Sequence, residues 1–381
     1  MKNLKTQKII TVIITLVLVL AMLGGCAKKV STPAADPKGA PAAAKKITAV
    51  LVLNNNLGDK SYSDMAYAGL VRAGKELGIN TKVTELGGDP TKMEPTLLEY
   101  AEDKNIDLII CGTPNIKEAA QKVAVQYPNK KFILYDIKAD FDKYKMPFVY
   151  SVDHKQNEAS FLAGAMAAKL TQSNVEGMNP KKILGIVPGG DNATVNDFLV
   201  GYIEGAEYVD AQTKVIISYV GDFKDSAKAK EMALAQYQQG ADIVFQVASR
   251  AGLGVLSAAK DTGKLAIGVD SDQAMLFKDT DPNQAKRIVP SVVKRVDNTV
   301  FNSIKRAIDG TLPWGKYEKI GVAENAMSIA KNEYYNQIVP KDIRDLVDQI
   351  EAKIKSGEIK VSSAIGMSNE DLNKIRNRVK P

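Results

Sequence analysis

Three acids in this 381-residue chain stand where an apolar run gives way to a turn. Asp59 lies in NNNLGDKSYSDMAYAGL (54–70), Asp136 closes ILYD, and Asp270 closes AIGVD. An ionised carboxylate accepts two donors at once, such as neighbouring hydroxyls of a sugar or the N–H groups of a base. Three such acids disfavour a phosphorylated ligand by repulsion and favour a neutral, donor-rich one. The rival uses are paired acid–base catalysis by Asp136 and Asp270, for which no nucleophile or cofactor motif is at hand, and plain helix capping. Tyr62 adds an aromatic face beside Asp59, and Phe245 inside DIVFQV is a second face or a core residue. Ser61 or Ser63 can cap the helix that Tyr62 opens. Gly252 and Gly254, in VASRAGLGVLSAAK (247–260), sit at a strand-to-helix turn that allows close backbone approach and offers free N–H donors. Lys294 in PSVVKRVD either reaches a ligand acceptor or pairs with Asp297. The string Gly58-Asp59-Lys60-Ser61 is no phosphate loop, because the preceding glycine spacing is missing.

Other chemistry is poorly supplied. One histidine and two cysteines leave little for a metal site, a disulfide framework or a histidine-based triad, so neither metal nor cofactor is expected. His154 follows a strand end and reads as a surface or hinge residue. Cys111 within DLIICG reads as a buried small hydrophobe.

The elements that must position these residues follow a regular alternation. ITAVLVL (47–53), DLIICG (107–112), KFILYD (131–136) and FVYSV (148–152) are short apolar runs separated by amphipathic segments. The series restarts with KILGIV (182–187), KVIISYV (214–220), ADIVFQV (241–247), LAIGVD (265–270) and RIVPSV (287–292). The second series copies the first: NIDLIICG matches GADIVFQV, KKFILYD matches GKLAIGVD, and Asp136 falls opposite Asp270. Two doubly wound parallel-sheet α/β lobes are therefore predicted, with a ligand cleft outside the carboxyl ends of the strands.

The net charge of +7 belongs to one end of the chain. Residues 1–46 contain eight lysines and one acid, while the remainder holds 43 basic and 43 acidic residues. That basicity marks a leader and tether, so nucleic acid is not an expected partner. Lys2, Lys5 and Lys8 precede an apolar run from Ile9 to Leu23 that is too short to span a bilayer and reads as a signal peptide, residues 1–25. It ends in Leu23-Gly24-Gly25-Cys26, which resembles a bacterial lipobox and implies lipidation of Cys26. Residues 26–46 form a flexible tether whose lysines suit anionic lipid head groups. The expected location is the extracytoplasmic face of the cell membrane, with the lipid as anchor.

Taken together, GDKSYSDMAYAGL (58–70), SVDHKQNEASFLAGAMAA (151–168), DFKDSAKAKEMALAQYQQGADIVFQVASRAGLGV (222–255), IGVDSDQ (267–273) and PSVVKRVD (290–297) resemble the basic membrane lipoprotein family. These are type I periplasmic-binding proteins similar to the purine-nucleoside receptors of ABC importers. The resemblance runs from about residue 48 to 310. It implies two lobes joined by three crossings and a nucleoside held between them. It carries the family's first loop onto Asp59-Lys60-Ser61-Tyr62-Ser63, with Tyr62 as the stacking ring. Likewise it makes Asp136 the reader of the base, Asp270 the acceptor for the ribose diol, and Lys294 the family lysine. The family's Ala-Gly-Gly-Thr-Gly turn becomes Ala248-Ser249-Arg250-Ala251-Gly252, so Arg250 brings a guanidinium to the expected cleft.

The expected organisation places one lobe over 47–152 plus about 293–320. The other spans 153–292 plus about 321–364, and residues 365–381 form a polar helical extension. The hinge is expected at Ser151-Val152-Asp153, at Pro290-Ser291-Val292 and at a third crossing near 311–321. The expected function is capture of a purine nucleoside (inosine, guanosine or adenosine) by a monomer that delivers it, without catalysis, to ABC permease and ATPase subunits. The alternatives are the same architecture for a pentose, a furanosyl signal or riboflavin, then a nucleoside or glycoside hydrolase. A surface adhesin with a disused cleft is a further class.

Overall fold

A computed structural model describes residues 46–381; the leader, Cys26 and the tether through residue 45 lie outside the described residues. The chain builds β1 (Thr48–Leu53), α1 (Tyr62–Leu77), β2 (Asn80–Glu85), α2 (Met93–Glu102), β3 (Leu108–Gly112), α3 (Lys117–Gln126), β4 (Lys131–Tyr135) and β5 (Val149–His154). It continues through α4 (Gln156–Leu170), β6 (Ile183–Pro188), α5 (Ala193–Val209), β7 (Lys214–Ile217), α6 (Ser226–Gln239), β8 (Ala241–Val247) and α7 (Gly252–Thr262). Next come β9 (Leu265–Asp270), α8 (Gln273–Phe277), α9 (Pro282–Ala285), β10 (Ile288–Lys294) and α10 (Val296–Ile308). The last elements are β11 (Lys316–Ile320), β12 (Met327–Ile329), α11 (Glu333–Ile338), α12 (Lys341–Lys355) and α13 (Asn369–Arg378).

The strands form two 6-stranded sheets of matching order, β2-β1-β3-β4-β5-β11 and β7-β6-β8-β9-β10-β12. All pairings are parallel except β12 against β10. The apolar runs are nearly continuous because both faces of each sheet are covered. In the first lobe, Val50, Val52, Ile109, Cys111 and Phe132 pack on one side, where Leu97, Ala120 and Val123 of the covering helices meet them. Leu51, Leu53, Ile110, Ile133 and Tyr135 pack on the other, beneath α1 and α10. Cys111 is part of this core, and burial pushes its thiol up to about 12.

Three passages join the lobes: from β5 into α4, from β10 into α10, and from β11 to β12. The third runs through Gly321 to Ala326, slightly beyond the 311–321 expected, because Lys316–Ile320 still pairs with β5. At the C-terminus, α13 is docked rather than free. Leu372, Ile375 and Val379 are buried, the Val379 carbonyl accepts from Val215 N at 2.8 Å, and the Arg376 guanidinium donates to Asp191 and to Tyr219.

Candidate ligand-binding site

The carboxyl ends of strands from both sheets converge on a cleft lined by residues of both lobes. The first lobe contributes Asn54 after β1, Thr113 after β3, Asp136 after β4, and Tyr62 from the first turn of α1. From the second come Asn192 and Phe198 at the start of α5, Phe223, Ser249 after β8, Asp270 of β9 and Lys294 of β10. The twinning of the lobes reaches the backbone itself, since Asp136 and Asp270 both adopt left-handed φ, 55° and 64°. Thr113 (φ 85°) and Ser249 (φ 50°) do the same on the cleft wall. For a β-branched threonine this conformation is costly, and such strain gathers at functional sites.

Lys294 and Asp136 form the charged centre. Both are almost wholly buried, and the ammonium donates to Asp136 Oδ2 while His154 Nδ1 stands 2.8 Å from Oδ1. Burial pushes the Asp136 carboxyl up, but the Lys294 and His154 side chains outweigh it and hold the group well below the usual carboxylate range. The ammonium also lies 5.5 Å from the ring centre of Tyr62 and 5.7 Å from that of Phe198, so two aromatic faces flank it. Burial, with the Asp136 charge next, raises the Tyr62 phenol well above its ordinary value, so it stays neutral.

Asp270 is arranged differently. Its Oδ2 accepts from Ser61 Oγ at 2.5 Å, leaving Oδ1 without a protein donor. Burial pushes the carboxyl up to about 6 against the opposing pull of Lys294 and Ser61. Three buried oxygens on the wall, Asn54 Oδ1, Tyr62 Oη and Thr113 Oγ1, lack a hydrogen-bond partner. Orphaned polar atoms of this kind are rare in folded proteins and mark places where a ligand or water completes the bonding. Among the described residues, no cluster of His, Cys, Asp and Glu could hold a metal ion.

The lobes are drawn together over this cleft. Ser61 to Asp270 is one bridge; Ser249 Oγ to Asp59 Oδ2 (2.8 Å), Ser271 Oγ to the Lys60 carbonyl (2.7 Å) and Gln273 Nε2 to the same carbonyl (3.1 Å) are others. At the rim, Arg250 donates to the Leu57 carbonyl at 2.7 Å, and Lys224 donates to the Gly87 carbonyl.

Of the expected site residues, the cleft gathers Tyr62, Asp136, Asp270 and Lys294. It does not gather the other five. Asp59 is consumed by structure, its oxygens accepting from the backbone N–H of Ser61, Ser63 and Asp64 and from Ser249, which satisfies the open end of α1. Ser63 is buried within that first turn. Phe245 is fully buried, with its ring 5.3 Å from Tyr202 and 6.2 Å from Phe198, so it supports a cleft ring from beneath instead of meeting a ligand. Arg250 is exposed and acts at the rim. Gly252 serves helix packing: a Cβ there would lie 1.8 Å from Gln246 Oε1. Lys294 pairs with Asp136 rather than with Asp297, which Arg295 engages through two bonds. His154 is no surface residue but completely buried, and Phe198 and Phe223 are cleft residues that strand-end reasoning passed over.

A family model described as "Bmp: ABC transporter substrate-binding protein PnrA-like" matches residues 46–363. Among curated relatives, the ABC transporter nucleoside-binding protein BmpA of Lactococcus lactis is 28% identical over 358 residues, covering 90% of this chain and 95% of its own. Basic membrane protein D of Borreliella burgdorferi is 28% identical over 324 residues, with coverages of 82% and 87%. A lipoprotein of Pyrococcus abyssi is 29% identical over 359 residues, with coverages of 83% and 84%. In three dimensions, an ABC transporter solute-binding protein of Aeropyrum pernix superposes with a TM-score of 0.75 at 24% identity, over 88% of this chain and 99% of that one. The likeness in fold and the length of the family match agree, and this chain belongs to the Bmp family of PnrA-like ABC transporter substrate-binding proteins.

Proposed function

We propose that this protein is a lipid-anchored, extracytoplasmic receptor that captures a nucleoside, preferentially a purine nucleoside, and hands it to the permease of an ABC importer without chemical change. The observation that carries the reading is the free Oδ1 of Asp270 beside the spare N–H donors of Lys294, on a wall flanked by the Tyr62 and Phe198 rings. One hydroxyl of a ribose diol donates to the carboxylate and the other accepts from the ammonium, while the flat base lies against the rings. Asp136, with an unused lone pair on each oxygen, takes a base N–H. Two acids against one lysine repel a phosphate and favour the uncharged nucleoside. The name of the Lactococcus lactis relative supports the same ligand class. Anchoring would come from lipidated Cys26, as the lipoprotein name of the Pyrococcus relative supports.

The test is thermal stabilisation of residues 27–381 by inosine, guanosine, adenosine, nucleotides, pentoses and riboflavin. A nucleoside at about 100 times its dissociation constant adds about 2.7 kcal/mol of stability, and Asp270→Ala abolishes the shift while the protein stays folded. Stabilisation by a pentose or flavin with none by nucleosides overturns the assignment.

A further inference from the structure

The chain has one histidine, and the cleft does not use it directly. His154 ends β5, at the first passage between the lobes, and is 0% exposed. Its Nδ1 stands 2.8 Å from Asp136 Oδ1, and its Nε2 stands 2.9 Å from Thr299 Oγ1 on α10. Thr299 Oγ1 in turn lies 3.1 Å from the Arg295 carbonyl, just past the second passage. Thr299 lines a groove behind the hinge, formed with Tyr150, Arg306 and Glu318, whereas Asp136 lines the ligand cleft in front. A hydrogen-bonded chain therefore runs through the hinge from one hollow to the other.

The protons along it can be assigned. Asp136 is ionised and only accepts, so Nδ1 carries the hydrogen. Burial lowers the histidine's affinity for a second proton, so Nε2 is bare, and the single Thr299 hydroxyl hydrogen turns to Nε2 instead of to the Arg295 carbonyl. The charged and titratable neighbours are Asp136 beyond β4, Lys294 ending β10, and Asp153 on the same strand, whose other partner is the Tyr317 hydroxyl at 3.0 Å.

We infer that His154 is a positioning residue, whose Nδ1–H fixes the carboxylate of Asp136 on the cleft wall while Thr299 fixes the imidazole from behind the hinge. Lys294 holds one oxygen of Asp136 and the imidazole holds the other, so the protein's own groups set the carboxylate plane. Outer partners of this kind orient a binding group that they never replace.

Only the affinity arm of the test rests on the nucleoside reading. The first arm needs no ligand: long-range ¹⁵N–¹H spectra of the sole imidazole near neutral pH should show a single tautomer with Nδ1 protonated, and Asp136→Asn should mix the tautomers. An Nε2-protonated imidazole in the unaltered protein overturns the inference. In the second arm, His154→Leu fills the space without a donor and His154→Asn retains a donor near the Nδ1 position. Inosine binding should weaken about ten- to a hundredfold in the leucine variant, the equivalent of a lost hydrogen bond to a charged group. In the asparagine variant it should stay within about threefold. Equal losses in both variants reduce His154 to packing and overturn the inference. Should the leucine variant not fold, Thr299→Val takes its place, and unchanged inosine binding there removes the role given to Thr299. If the unaltered protein binds no nucleoside, the proposed function fails and the tautomer spectrum alone decides this one.

Discussion

Lys294→Met keeps most of the side chain's length and removes its charge from a pair in which the lysine is 1% and Asp136 3% exposed. Asp136 then retains His154 as its one strong donor, and the upward push of burial is no longer outweighed. Removing one partner of a buried ion pair costs about 3–5 kcal/mol, because the other charge is stranded away from water. Asp136→Asn strands the ammonium instead, although the Tyr62 and Phe198 rings offset about 0.5–2 kcal/mol of that loss. The double variant leaves no unpaired charge, so it should be less damaged than the sum of the singles, with a coupling energy of about 3 kcal/mol. The pH dependence gives an independent check. In the unaltered protein, the lowered pKa of Asp136 supplies stability that is present above the unfolded value of about 3.9 and lost as pH falls through the folded value. In Lys294→Met the folded pKa moves up, so the sign reverses and the deficit grows as pH rises above about 4. Urea unfolding of all four proteins at acid and neutral pH measures both effects. A coupling energy below about 1 kcal/mol, or a Lys294→Met deficit that stays constant with pH, refutes this account of the pair.

Three further outcomes are expected. Burial raises Asp270 to about 6, so without ligand this group's contribution to stability is full below the unfolded value and is lost as pH rises toward 6. A diol donating to the ionised carboxylate reverses that preference, so inosine affinity measured by calorimetry should be about tenfold weaker at about pH 5 than on its plateau above about pH 7. A flat profile removes the diol contact. Gly201→Ala places a Cβ 2.1 Å from the Asn157 carbonyl, where α5 crosses α4 backbone to backbone, and should cost about 3 kcal/mol in urea unfolding; a loss under about 0.5 kcal/mol would mean that the two helices part freely. Cys26→Ser should abolish incorporation of labelled palmitate and release the protein from the membrane fraction, whereas continued labelling places the lipid elsewhere.

Much of this architecture was legible because its signals are local. DLIICG and DIVFQV are apolar on both faces, which only a doubly covered parallel sheet explains, and the echo of KKFILYD in GKLAIGVD announced the twin sheet before any coordinates. The acids closing those two strings could be assigned to a cleft by topology alone. What sequence order hides is a side chain's facing. Phe245 and Phe198 are both aromatic residues of the second lobe, yet β8 buries the first on the inside of its sheet while α5 turns the second toward the ligand. Asp59 takes the helix-capping alternative, and the sequence leaves that choice open because the three backbone N–H groups that fill it belong to a helix end whose angle no spacing specifies. His154 is a hinge residue, as its strand-end position suggests, but its burial is not legible, because Asp136 lies 18 residues back and Thr299, 145 residues on, reaches it only after two passages of the hinge.

The bridges from Ser61, Ser249, Ser271, Gln273, Arg250 and Lys224 tie the two rims of the cleft together. Entry and exit both need these bonds to open, which slows exchange with the surroundings. The same bonds re-form behind the captured molecule and lengthen its residence. A slow, tight trap of this sort suits scavenging from dilute surroundings, where the solute is scarce and losing it again is the greater cost.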